Sequence, residues 1–230
     1  MSQPRAIPTI TAALASLLSL ASVQVNADND RRRSEVQDVD VRITNLTQGT
    51  LFTPALVVAH RRASDVLFTP GGAPSDALAA LAEGGDTEPL RDLLESDDRV
   101  WSTAEADAPL GPGESVTIRL AAVPARSAVS LAAMLLPTND GFVAVQGLRI
   151  PSGRFASSTW AEGYDAGSEP NDELCANIPG PDCNGVGGSP DAGGEGYVHI
   201  HSGIHGIGDL EPSLYDWRNP VARVEVTRAD

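Results

Sequence analysis

The chain has 230 residues, a formal net charge of −15 and sixteen basic residues, every one of them arginine. That length supplies one sizeable domain and is short for two. A surface this acidic repels phosphate backbones and anionic lipid. It therefore excludes nucleic acid and electrostatic membrane docking, and it favours cations.

Residues 1–27, "MSQPRAIPTITAALASLLSLASVQVNA", have a positive start at Arg5, an apolar run, and the small-residue ending Val25-Asn26-Ala27. This is the layout of a secretory signal peptide cleaved after Ala27, the other reading being a membrane anchor. Ser and Thr interrupt the run and no long apolar span follows. The mature protein is thus expected to be exported, to the periplasm, the cell surface or the medium, with no membrane insertion after cleavage. Residues 28–37 are charged and aperiodic and read as a disordered leader. A single domain is expected over 38–230.

Structure is predicted to begin near Val39. "VDVRITNLT" alternates apolar and polar residues, the period-two signal of a strand. "LFTPALVVAH" reads as a second strand, with Pro54 marking an edge or a bulge. The period then changes. "SDALAALAEGG" predicts a short helix capped by Ser75, with Leu78, Leu81 and Ala82 on one face and Gly84-Gly85 as the stop. "TEPLRDLLES" repeats the plan, with Thr87 as cap and Leu90, Leu93 and Leu94 as the apolar face. "SVTIRLAAV", "SAVSLAAMLLP" and "GFVAVQGLRI" are three further strands, introduced by turn chemistry such as "GPGE" and "TNDG". From Pro151 to Gly196 little is periodic, and a long loop, functional or disordered, is expected. "GYVHIH" and "NPVARVEVTR" return to strand alternation. Short strands, little helix and no internal repeat predict an all-β, antiparallel β-sandwich with two short inserted helices.

The long loop carries Cys175 and Cys183, which bracket "CANIPGPDC". In an exported protein an even pair this close reads as a local disulfide; a two-thiolate metal site is the alternative. The same loop holds "YDAGSEPNDE", with four carboxylates around a Gly and a Pro. Calcium takes six to eight oxygen ligands from flexible loops. Asp165 and Glu169 lie four apart across a helix-breaking Gly, and Asp140 in "PTNDGF" follows an apolar strand. The spacing does not match the helix–loop–helix calcium pattern, so the residues by themselves leave calcium and a solvated acidic loop both open.

Histidines form a second constellation. His199, His201 and His205 lie in "HIHSGIHG", the first two on one face of a strand, and His60 ends another strand. Such imidazoles offer a zinc or copper site, or else a hydrogen-bonded layer that shapes the loops. For catalysis there is no Gly-x-Ser-x-Gly elbow, no His-Glu-x-x-His and no phosphate-cradling Gly loop. Asp140 and Asp165 as a glycosidase pair would need a raised carboxyl, and a polar, charge-dense loop is expected to lower both. Trp101, Trp160 and Trp217 are assigned to packing.

"SLAAMLLPTNDGFVAV" followed by "YDAGSE" resembles the spondin domain, the amino-terminal module of F-spondin and the principal domain of mindin. "AHRRASDVLFTPGGAPSDALAALAEGGD" and "HIHSGIHGIGDL…DWRNPVARVEV" are similar to bacterial members of that family, so the resemblance runs from about Val39 to Thr227. It implies an antiparallel sandwich related to calcium-dependent lipid-binding sandwiches, calcium held at one end, and a role in adhesion rather than an enzyme. The family's ligand positions fall on Asp140, Asp165 and Glu169, the last being Asp in animal members. The implied partner is an extracellular protein or polysaccharide. "HIHSGIHG" also resembles a short motif of chordin-like secreted domains, which implies a structural role for that run. The rival expectations are a transition-metal protein built on His199, His201 and His205, with Zn2+ or Cu2+, and an unrecognised hydrolase.

Overall fold

The computed structural model describes residues 36–188 and 193–229. The signal-peptide reading of residues 1–27 lies outside them, as does residues 28–35 of the leader.

The first strand, β1 (Val36–Asn45), shows why this sequence makes sheet. Val39, Val41 and Ile43 are buried to within 1 %, while Arg42 between them points to solvent. β1 starts at Val36, inside the segment read as a leader, because Val36 and Gln37 already pair with Pro124 and Val123. The second predicted strand is two, β2 (Leu51–Phe52) and β3 (Leu56–Arg61), parted at Pro54. β4 (Val100–Glu105), β5 (Ser115–Pro124), β6 (Ser127–Leu136), β7 (Gly141–Arg149), β8 (Ser157–Asp165), β9 (His199–Ile200) and β10 (Ala222–Arg228) follow. All pairings are antiparallel. The order is β4-β3-β6-β7-β8-β10-β1-β5, with β2 beside β6 and β9 beside β8.

β8 turns this ladder into a sandwich. Its first half, Ser157–Ala161, pairs with β10, and its second half, Glu162–Asp165, pairs with β7. A strand that changes partners in this way forms a corner between two sheets. Gly163 sits at the change: a Cβ there would stand 3.1 Å from the Trp217 indole nitrogen and 3.3 Å from Leu135. Between the sheets lies the main core, with Val39, Val41 and Ile43 of β1, Leu120 of β5 and Val224 and Val226 of β10 facing Val57, Leu131, Leu135 and Val143.

A second core covers the outer face of β3, β6 and β7. Leu56, Val58, Ala132, Phe142 and Ala144 meet Leu78, Leu81 and Ala82 of α1 (Asp76–Gly84) and Leu90 and Leu94 of α2 (Glu88–Glu95). β6 is therefore buried at every position, which explains its unbroken apolar reading. Ser75 caps α1 by accepting the Leu78 N–H at 3.1 Å, and Gly85 ends it at φ 70°. α2 departs from expectation in two ways. The Thr87 side chain makes no cap bond; Asp86 Oδ1 accepts the Glu88 N–H instead. Leu93 faces solvent at 48 % exposure, because Leu90 and Leu94 already fill the contact with the sheet. A last helical turn, α3 (Pro212–Tyr215), precedes β10.

Two strands were invisible to periodicity. β8 lies inside the predicted long loop because its buried positions are Ala161, Gly163 and Asp165, of which only the small Ala161 is apolar. Every residue of β4 after Val100 is half-buried or more exposed, so no alternation marks it. Trp217 packs in the core as expected, but Trp101 and Trp160 stand out at 43 % and 58 % exposure.

Candidate metal centre

The β6–β7 turn delivers Asp140. Thr138 Oγ1 accepts the Gly141 N–H at 3.0 Å and closes the turn. Gly141 is then register partner to Asp165 on β8, and Asp140 O accepts the Ala166 N–H at 3.1 Å. The chain after β8 wraps back on the same side chain. Asp140 Oδ2 accepts the N–H groups of Ser168 and Glu169, at 2.8 and 3.0 Å. The other oxygen, Oδ1, is buried with no hydrogen-bond partner.

Asp165 Oδ1 accepts the Gly167 N–H at 2.7 Å, and its Oδ2 accepts from Asn171 Nδ2. Gly167 is required here: φ is 69°, and a Cβ would lie 2.4 Å from the Tyr197 carbonyl oxygen. Its own carbonyl accepts the Gly196 N–H at 2.8 Å. This close approach holds the 194–199 segment against the acidic loop. Within that segment His199 is register partner to Asp165. Its Nε2 lies 3.6 Å from Asp165 Oδ1 and 3.9 Å from Glu195 Oε2.

Asp140, Asp165 and Glu169, the three predicted calcium ligands, are all buried at 1 % exposure or less. The loop is thus not a wet surface, and the expectation that its carboxyls are strengthened as acids is reversed. Burial, reinforced by the charge of Asp165, pushes Asp140 up to about 7. Burial also raises Asp165, against the opposing bonds from Asn171 and Gly167. A raised carboxyl suits a general acid, but both side chains are fully buried and present no surface to a substrate. What they offer is an unneutralised charge in a dry place, which a proton or a cation relieves.

The remaining acids of "YDAGSEPNDE" are satisfied by the protein itself. Asp172 Oδ1 accepts from Asn139 Nδ2 and the Leu174 N–H, both at 2.9 Å. The Glu173 carboxylate accepts three successive N–H groups, those of His205, Gly206 and Ile207, at 2.6 to 2.9 Å. Such a nest of backbone dipoles holds a carboxylate without any ion. The crowding therefore divides into Asp172, which ties its own loop to the β6–β7 turn, Glu173, which ties down the "HIHSGIHG" loop, and the acids gathered around Asp140 and Asp165. Cys175 and Cys183 are joined in a disulfide.

The three histidines weighed as an alternative metal site do not fall in one group: among the described residues only His199 lies in a set of three ligand-type side chains. His201 is 5 % exposed, lies 4.9 Å from the Trp217 ring, and spends Nδ1 accepting the Gly203 N–H. Burial, with repulsion from His199 and His205, pushes it down to about 4. His205 is half exposed, with Nδ1 3.8 Å from Glu173. His199 alone joins the acidic centre. Burial lowers its pKa, but the bond to the Ile200 carbonyl and the charges of Asp165, Glu195 and Asp140 outweigh this and raise it. The fourth, His60, is buried against Ser130 Oγ at 2.7 Å, and that hydroxyl accepts the Gly147 N–H where β6 and β7 slip register.

Among the described residues, Asp165, Glu195 and His199 are the group of three ligand-type side chains whose donor atoms lie within 4.8 Å of one another. Glu195 was missed in the sequence; its signal was a Glu four residues before a His, next to the turn glycines Gly193, Gly194 and Gly196. No helix among the described residues is long and apolar enough to cross a membrane. No protein-family model matches the chain, and a search of curated proteins returns no match.

Proposed function

We propose that this protein is an exported, spondin-type β-sandwich whose acidic end binds calcium and serves as a module for adhesion or for interaction with the cell surface or matrix. The observation that carries the reading is the burial of Asp140, Asp165 and Glu169 at one end of the sandwich, with Asp140 Oδ1 lacking any hydrogen-bond partner. Buried like charges destabilise a fold unless something neutralises them. A hard divalent cation with carboxylate ligands does so. Bound there, it would neutralise the end of β8 and fix the loop that follows. The disulfide supports export, and the resemblance in "PTNDGF" and "YDAGSE" supports a spondin-type role. Tyr197, Ile200 and Ile207 are exposed at 46 %, 52 % and 69 % beside this end and give a partner protein or polysaccharide apolar surface to grip.

The test is thermal unfolding of the purified protein in EDTA and then in calcium. A ligand that binds only the folded state raises Tm as its concentration exceeds Kd. The expected result is a calcium-dependent rise that Asp165→Ala abolishes. Equal unfolding curves with and without calcium, at millimolar ion, overturn the reading.

A further inference from the structure

We infer that His199 and Glu195 are ligands of the same ion as Asp165, so that the centre is a mixed nitrogen and oxygen site with a preference for a transition divalent cation such as zinc over calcium. This rests on the reading that a divalent cation occupies the acidic end of the sandwich, and it changes both the ligand set and the class of ion.

Three independent features carry it. The first is proximity: the donor atoms of Asp165, Glu195 and His199 lie within 4.8 Å of one another, close enough to share one ion after small side-chain adjustments. The second is the tautomer. His199 Nδ1 lies 3.0 Å from the Ile200 carbonyl oxygen. A carbonyl only accepts, so Nδ1 carries the hydrogen, and in the neutral imidazole, the form a metal binds, the Nε2 lone pair is free. A metal-ligating imidazole has this arrangement, its other N–H held by a backbone carbonyl. The third is the lack of any other partner. His199 Nε2 is buried without a hydrogen bond, as is Asp140 Oδ1 on fully buried Asp140. Two unrelated side chains, one on each side of Asp165 in the fold, leave a donor atom unspent.

The rest of the fold maintains this geometry. Pairing of β8 with β9 sets His199 opposite Asp165, and the bond from Gly196 N–H to Gly167 O anchors the strand entry next to Glu195. Imidazole nitrogen binds zinc well, whereas calcium selects oxygen. Exchanging an all-oxygen set for one containing nitrogen therefore moves preference toward zinc. His201 and His205 take no part: His201 gives its Nδ1 lone pair to the Gly203 N–H, so its Nε2, also buried without a partner, carries the hydrogen and has no lone pair to offer, and His205 sits at Glu173.

The experiment is calorimetric titration of the purified protein with zinc and, separately, with calcium, using wild type, His199→Ala, His199→Gln, Glu195→Gln and His201→Ala. Each variant is first checked for a wild-type melting temperature in EDTA; His199→Gln and the rim variant Glu195→Gln keep the test valid if His199→Ala misfolds. Wild type is expected to bind one zinc per chain at least tenfold more tightly than calcium. The His199 variants should lose at least tenfold in zinc affinity while their calcium affinity stays within about twofold, and Glu195→Gln should weaken both ions by less than tenfold. Bound cobalt should show visible bands that change in the His199 variants and not in His201→Ala. Unchanged zinc affinity in the folded His199 variants overturns the inference and leaves the calcium reading standing. Loss of zinc in His201→Ala alone also overturns it. Failure of both ions to bind wild type overturns the inference and the calcium reading together.

Discussion

Asp165 and His199 are register partners across β8 and β9, with the facing oxygen and nitrogen 3.6 Å apart. This single pairing joins what the sequence presents as two separate constellations, an acidic loop and a histidine run. It also divides each of them, since Asp172 and Glu173 leave the first group and His201 and His205 leave the second.

The Asp140 carboxyl provides a test by pH. Its folded pKa of about 7 lies above the ordinary 3.8, so the stabilisation from its bound proton is complete below about pH 4 and lost as pH rises through about 7. Buried His201, pushed down to about 4 from 6.5, acts oppositely: its contribution is complete above about 6.5 and lost as pH falls through about 4. Asp140→Asn removes the first effect and keeps the second. In EDTA the variant should gain on wild type as pH rises from about 5 to about 8, by roughly a few kcal/mol. In saturating divalent cation at about pH 8 the order should invert. Urea unfolding at the two pH values, with and without ion, measures both.

Gly167→Ala should damage the fold and the centre together. The new methyl group meets the Tyr197 carbonyl at 2.4 Å on a residue whose φ is 69°. Strain of this kind costs roughly 1–3 kcal/mol. Relief requires the 194–199 segment to move away, taking Glu195 and His199 with it. We expect a lower Tm and weaker cation binding; a variant with wild-type affinity would show that this segment contributes nothing to the centre.

Glu173→Gln should separate structural acids from ligands. One oxygen of the caged carboxylate becomes an NH2 group facing backbone donors, at a cost of roughly 2–3 kcal/mol. Amide exchange at 205–207 should accelerate. Cation affinity should hold, because Asp140, Asp165 and His199 are positioned by other bonds.

Replacing Cys175 and Cys183 by Ser opens a loop with a sequence separation of 8. A loop this short predicts a loss of roughly 2–3 kcal/mol. Calorimetry should find the ion bound as before, since the disulfide lies beyond the residues that turn around Asp140.

The sequence by itself determined the elements whose burial is one-sided or complete. Alternation in "VDVRITNLT" gave β1, the i, i+3, i+4 spacing of Leu78, Leu81 and Ala82 gave α1, and turn residues bounded β5, β6 and β7. It could not show β8, whose inward positions are Ala161, Gly163 and Asp165, because periodicity detects hydrophobic side chains and only the small methyl of Ala161 is apolar. It named Asp140, Asp165, Glu169 and His199 by residue type. It could not decide which acids are wet, which are caged and which face the same point. Those answers depend on pairings between residues far apart in the chain: Gly141 with Asp165, Asp165 with His199, and Glu173 with the backbone of 205–207. Local pattern sets which face of a segment is buried; only the register between distant segments sets what that face meets.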